Sequence, residues 1–173
     1  MNFSLLVSKT NHFLRHDKQD TTISEALQTI YPYTKEASVY MYWNGYILEL
    51  YFCAEISDII QDIFFLINSL ENVEQFDVNW GSNIFFGTWE CFCDNNEVKI
   101  KSKLQALRGG AEILKQLSYV SDEVTIQIDT FINEWLKLLK QIDKDLERNG
   151  YNENNLIDFS LLKDIIIQNS KYQ

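Results

Sequence analysis

The dipeptide Asn44-Gly45, set between two runs in which apolar and polar side chains alternate, constrains the fold of this chain more than any other feature. Both residue types accept a positive φ, which a two-residue type I′ turn needs at its two central positions, and that turn suits the right-handed twist of flanking strands. In SVYMYWNGYILELYF, Val39, Met41 and Trp43 alternate with Ser38, Tyr40 and Tyr42, and the second strand runs from Tyr46 to Cys53. The period-two rule sends one face of this hairpin into a core. The other face carries Tyr40 and Tyr42 outward, with Tyr51 or Glu49 beside them.

The flanking segments add helices and further strands. Residues 3 to 16 and 20 to 31 read as helices, the second capped by Asp20, Thr21 or Thr22, with Ile23, Leu27 and Ile30 on one face. Pro32 ends it. Residues 54 to 72 place Ile56, Ile59, Ile60, Ile63, Phe64 and Ile67 on a broad apolar face. Extended segments follow in EQFDVNW, SNIFFGTWECFC and EVKIKSKL, punctuated by Gly81-Ser82 and Asp94-Asn95-Asn96. DEVTIQI has the alternation of a sixth strand, and Gly109-Gly110 reads as a hinge ahead of it. Asp129 can cap a helix whose stripe is Phe131, Trp135, Leu138, Leu139, Ile142 and Leu146, and a last helix covers residues 157 to 168. The expected architecture is a single α+β domain over residues 1–173. Its mainly antiparallel sheet has five or six strands, packed with helices at both chain ends and one inserted helix.

Charge is distributed unevenly. The net charge is −10, yet no Lys or Arg occurs between Lys35 and Lys99, a stretch holding eleven acids: Glu36, Glu49, Glu55, Asp58, Asp62, Glu71, Glu74, Asp77, Glu90, Asp94 and Glu97. The rest of the chain has fourteen acids against fifteen bases, so the whole negative excess belongs to this block. An acidic chain without clustered Lys and Arg is a poor direct ligand for nucleic acid. Acidic surfaces also serve solubility alone, but ordinary surfaces mix both signs. A face of one sign is tolerable where a basic partner meets it, because complementary potentials speed association and fix register. Glu55, Asp58 and Asp62, spaced by three and four, are expected as one exposed, unpaired stripe.

No catalytic signature accompanies the charge. His12 and His16 are four apart, but Phe13 stands where a zinc hydrolase would need its Glu base, and no third ligand is indicated. Cys53, Cys91 and Cys93 read as reduced and partly buried, Cys91 and Cys93 facing the same way. The Gly109-Gly110 pair lacks the spacing of a phosphate loop. No cofactor and no metal are expected. The N-terminus does not read as a signal peptide and the apolar runs are too short for a bilayer, so a cytoplasmic location is expected. Eleven acids near Trp43, Trp80 and Trp89 leave open a small hydrolase or carbohydrate-binding cleft, which would need two close carboxylates and aromatic platforms. A scaffolding subunit is a third reading.

In the texture of YWNGYILELYF, of the base-free stretch through GTWECFCDNNE and of the late helix FINEWLKLLKQIDKDL, the chain resembles the immunity proteins of bacterial contact-dependent and polymorphic toxin systems. The resemblance covers the whole chain but carries no signature motif. It implies a non-enzymatic protein that binds a cognate toxin domain, often a basic nuclease, with acidic side chains standing in for substrate phosphates. The residues expected to meet that partner are Glu55, Asp58, Asp62, Glu71, Glu74 and Asp77, with Trp80 or Tyr42 as anchors. Neither nucleic acid nor membrane is expected as a partner, and oligomeric state is left open.

Overall fold

A computed structural model describes residues 2–172. The turn at Asn44-Gly45 forms as its chemistry requires, with φ of 46° and 90°, and joins β2 (Ser38–Trp43) to β3 (Tyr46–Tyr51) with Trp43 opposite Tyr46. Val39, Met41 and Trp43 are buried; Tyr40, Tyr42 and Glu49 face outward, half-buried among themselves. Tyr51 differs. It is 8% exposed, because the strand ends there and its ring is covered by other side chains.

The N-terminal segment is a strand, not the expected helix over 3 to 16. Residues Phe3–Val7 form β1 and pair antiparallel with β2, from Phe3 opposite Trp43 to Val7 opposite Val39. Phe3 and Leu5 point inward and Leu6 outward, a period of two that a short apolar run does not distinguish from one helical turn. The following helix α1 (Ile23–Ile30) starts at a capping box. The Thr22 side chain accepts from the Glu25 N–H, and the Glu25 carboxylate accepts from the Thr22 N–H.

The remaining elements are α2 (Ser57–Leu70), β4 (Gln75–Ser82), β5 (Phe85–Asp94), β6 (Glu97–Leu107), α3 (Ala111–Leu117), β7 (Glu123–Gln127), α4 (Ile128–Arg148) and α5 (Phe159–Gln168). The α+β class is as expected, but the strands make two antiparallel sheets instead of one: β1-β2-β3 and β4-β5-β6-β7. The inserted helix α2 separates them, so the hairpin pairs backward with the N-terminus and never joins the later meander. Gly109-Gly110 is a turn within the second sheet's connection, since β7 returns to pair with β6. β7 then runs straight into α4, whose cap position is Gln127 and not Asp129. No helix among the described residues is long and apolar enough to cross a membrane.

Aromatic rings join the inner faces of both sheets to α4. Trp43 of β2 lies 5.1 Å from Trp89 of β5, and Trp89 meets Trp80 of β4 edge-to-face at 4.8 Å. Phe3 contacts Phe131 of α4 at 4.7 Å, and Trp80 stacks on Trp135 at 6.0 Å. Offset and edge-to-face pairs of this kind add to the burial energy of each ring. The expected stripe of α4 is buried throughout. A β-bulge at Phe86/Gly87 bends the β5–β6 pair, and only glycine fits there. Gly87 has φ of 149°, and a Cβ would lie 2.4 Å from the Lys103 carbonyl oxygen.

Three free strand edges are each met by a carboxylate. Glu134 of α4 accepts from the Leu5 N–H of β1 at 2.8 Å, Glu55 from the Tyr51 N–H of β3 at 2.9 Å, and Asp62 of α2 from the Gly81 N–H of β4 at 3.2 Å. Each satisfies a backbone donor that sheet pairing leaves open.

Candidate functional site

Helix α2 and strand β4 create an acidic corner. The apolar face of α2, with Ile59, Ile60, Ile63, Phe64, Leu66 and Ile67, is buried, which leaves Asp58 exposed, Asp62 half-buried and Phe65 50% exposed on the other side. In β4 the alternation QFDVNW buries Phe76, Val78 and Trp80 and turns Asp77 and Asn79 outward. The connection adds exposed Glu71, Val73 and Glu74. The Asp62–Gly81 hydrogen bond and an edge-to-face contact of Phe65 with Phe76 at 6.1 Å lock helix against strand. Acids from both elements therefore share one border.

Four of these acids stand outside the ion pairs. The ion pairs among the described residues involve none of Asp58, Asp62, Glu74 and Asp77. Burial raises the Asp62 carboxyl above its usual range, and the Gly81 N–H offsets this only in part. Asp58 in the first turn of α2 suits the helix dipole, but Glu74 follows the helix C-terminus, where no base occupies the last turn. Negative charge at that end is locally unfavourable.

Two of the expected partner-binding residues are not at the surface. Trp80 is fully buried between Trp89, Phe85 and Trp135, so it anchors the core and cannot anchor a partner. The alternation of β4 already placed it with Phe76 and Val78. Glu55 is also fully buried, paired with Arg108 at 2.6 Å. The cause is a π-helical turn over Phe52–Ile56, which breaks the helical register and rotates Glu55 away from the Asp58/Asp62 stripe. Tyr42 is outward as expected, but on the first sheet, next to Ile47 and Ser4 in register, and not with the acids of α2 and β4. The structure thus leaves Asp58, Asp62, Glu71, Glu74 and Asp77 on α2, β4 and the connection between them.

Arg108 is the residue that composition hid. Its guanidinium sits over the Tyr51 ring at 4.2 Å and the Tyr33 ring at 5.2 Å, hydrogen-bonded to the Tyr33 hydroxyl and ion-paired with Glu55. Burial alone would lower its pKa, but the bonds to Glu55 and Tyr33 outweigh that and raise it. Lys103 likewise pairs with Glu90. Bases just beyond the base-free block therefore neutralise two of its acids.

Trp89 is as buried as Trp80, so neither offers a ring to a sugar, and Trp43 is 4% exposed. A cavity of about 400 Å³ lies between β6 and α3, lined by Trp43, Leu104, Leu114, Leu117 and Asp122 among others, and one of about 240 Å³ lies beside β3, with Glu49 and Arg108 on its wall. Neither lining contains two carboxylates. His12 is exposed and the His16 ring packs on Tyr151 at 4.5 Å. Among the described residues no group of three or more His, Cys, Asp or Glu is arranged to hold a metal. No family model, curated protein or solved structure matches this chain.

Proposed function

We propose that this chain is a non-enzymatic immunity protein that binds and neutralises a basic bacterial toxin domain through the α2–β4 corner. The observation that carries the reading is the set Asp58, Asp62, Glu74 and Asp77, which share one border without an ion-pair partner. Phe65 and Val73, 50% and 43% exposed, supply apolar contact area within the acidic rim, the composition of a protein-binding patch. Keeping Asp62 partly desolvated costs stability, and a basic partner offsets that cost.

The acid-tryptophan cleft of a hydrolase or carbohydrate-binding domain has less support, because the tryptophans that motivated it are inside the core. The test is coexpression with the protein encoded by the neighbouring reading frame, scored by growth. Wild type is expected to rescue growth, and the combined variant Asp58→Asn, Asp62→Asn, Glu74→Gln, Asp77→Asn to lose rescue while remaining folded. Full rescue by the variant would refute the acidic corner as the binding surface.

A further inference from the structure

Beyond Lys101 the edge of β6 loses its partner strand. β7 starts at Glu123, opposite Lys101, and the Asp122 carbonyl still accepts from the Ser102 N–H at 2.7 Å. Before Asp122 the chain leaves β6, with the Ser121 carbonyl held by the Trp43 indole N–H at 3.3 Å and the Asn44 side-chain amide at 2.7 Å. Leu104, two residues past Ser102, turns its own N–H and C=O toward the side that β7 no longer covers. Helix α3 stands over this stretch and buries none of its residues. Its Leu114 and Leu117, and Val120 after it, are only half-buried, because they face the cavity of about 400 Å³ instead of partner atoms.

We infer that this cavity binds a small hydrophobic amine, a molecule with an apolar ring body and a protonated amino group. Volume and lining set the body: the space falls in the range of small-molecule sites, and Trp43, Leu104, Leu114, Leu117 and Val120 make its walls apolar. Asp122 sets the charged end. The bond between Ser102 and Asp122 places these residues opposite each other, so their side chains share one face, the inner one on which Ser102 lies beside Trp89. The Asp122 carboxylate thus borders the cavity, and it has no ion pair or hydrogen bond among the described residues. The neighbouring charges are turned away or already paired. Lys103, although part of the lining, sits opposite Thr88 on the outer face, where its ammonium holds Glu90. Lys101 lies on that face too, opposite Glu90 and Glu123, and Lys99 pairs there with Glu123. Glu112 and Lys115 are exposed on α3, outside the lining. A carboxylate left alone at the rim of an apolar cavity favours a cation that brings its own apolar body. An anion of the same shape is disfavoured. The site is two strands away from β4 and does not depend on the acidic corner.

The test titrates the full chain with tryptamine and follows backbone amides and indole N–H groups by two-dimensional NMR. Saturable shifts should appear at the Trp43 indole, which lines the cavity, and at the Leu104 and Leu117 amides. Indole-3-propionate, with the same ring and a negative end, should bind more weakly by about tenfold or more. Asp122→Asn, at an exposed position, should keep the native spectrum and weaken tryptamine binding by about fivefold or more. No change at Trp43 at millimolar tryptamine, equal binding of the two probes, or undiminished affinity in Asp122→Asn would each overturn the inference. So would tryptamine shifts confined to the acids of α2 and β4, which would mark counter-ion attraction to a chain of net charge −10.

Discussion

Glu55 and Arg108 meet at 2.6 Å with very different access to water: the carboxylate side chain is 0% exposed and the guanidinium side chain 24%. Glu55 also holds the Tyr51 N–H, so it joins the π-helical turn, the end of β3 and the end of β6. That asymmetry makes the two residues unequal as mutational targets.

Arg108→Met should destabilise the chain by about 3 kcal/mol, because it strands a buried carboxylate, whereas Glu55→Gln should cost about 1 to 2 kcal/mol, because Gln still accepts from Tyr51 and Arg108 can turn toward solvent. Urea unfolding midpoints of both variants check the order. Equal losses would show that the pair is screened like a surface salt bridge.

Asp62 gives a pH prediction with a definite sign. Its folded-state pKa is raised by burial, so the folded chain holds that proton more tightly than the unfolded chain. Ionisation of this one group therefore lowers stability as pH rises from the unfolded carboxylate range through the raised value. Asp62→Asn keeps an acceptor for Gly81 and removes the penalty. At neutral pH the variant should be more stable than wild type by at most about 1 kcal/mol after solvent screening. The gain should vanish once pH falls below the unfolded pKa. Thermal melts of the two proteins across acidic to neutral pH decide this. The same substitution should weaken partner binding, a trade of function against stability.

The cysteines should separate by reactivity. Cys91 is fully buried on β5 and its thiol is pushed up to about 12 by burial, with smaller contributions from Cys93 and Asp77. Cys53 and Cys93 are raised less and are partly accessible. Thiol-disulfide reagents at mildly alkaline pH should label Cys53 and Cys93 slowly and Cys91 only after unfolding, since the thiolate is the reacting species. Mass mapping of labelled native protein would read this directly.

Local chemistry made some of this structure legible and hid the rest. Asn44-Gly45 and the alternation around it specify a hairpin without help from distant residues, and the apolar periods of α2 and α4 specify their buried faces. β1 was illegible because five apolar-rich residues suit either a helical turn or a strand, and only pairing with β2 decides. The division into two sheets depends on where α2 packs, which no short-range signal encodes. At the site, Asp77 outward and Trp80 inward follow from one alternation in β4, whereas Glu55 is lost from its stripe by a π-helical turn that leaves no mark in the spacing of acids. Arg108 could be matched to Glu55 only once β6 and β3 were brought together in space.

If Asp58, Asp62, Glu74 and Asp77 at the α2–β4 corner meet a basic partner, the association rate with the neighbouring reading frame's product must depend on ionic strength. The wild-type rate should fall steeply with added salt, and the combined amide variant of Asp58, Asp62, Glu74 and Asp77 should associate more slowly with a much flatter dependence. A wild-type rate that does not change with salt, or a variant that matches wild type at every salt concentration, would rule out this corner as the binding surface.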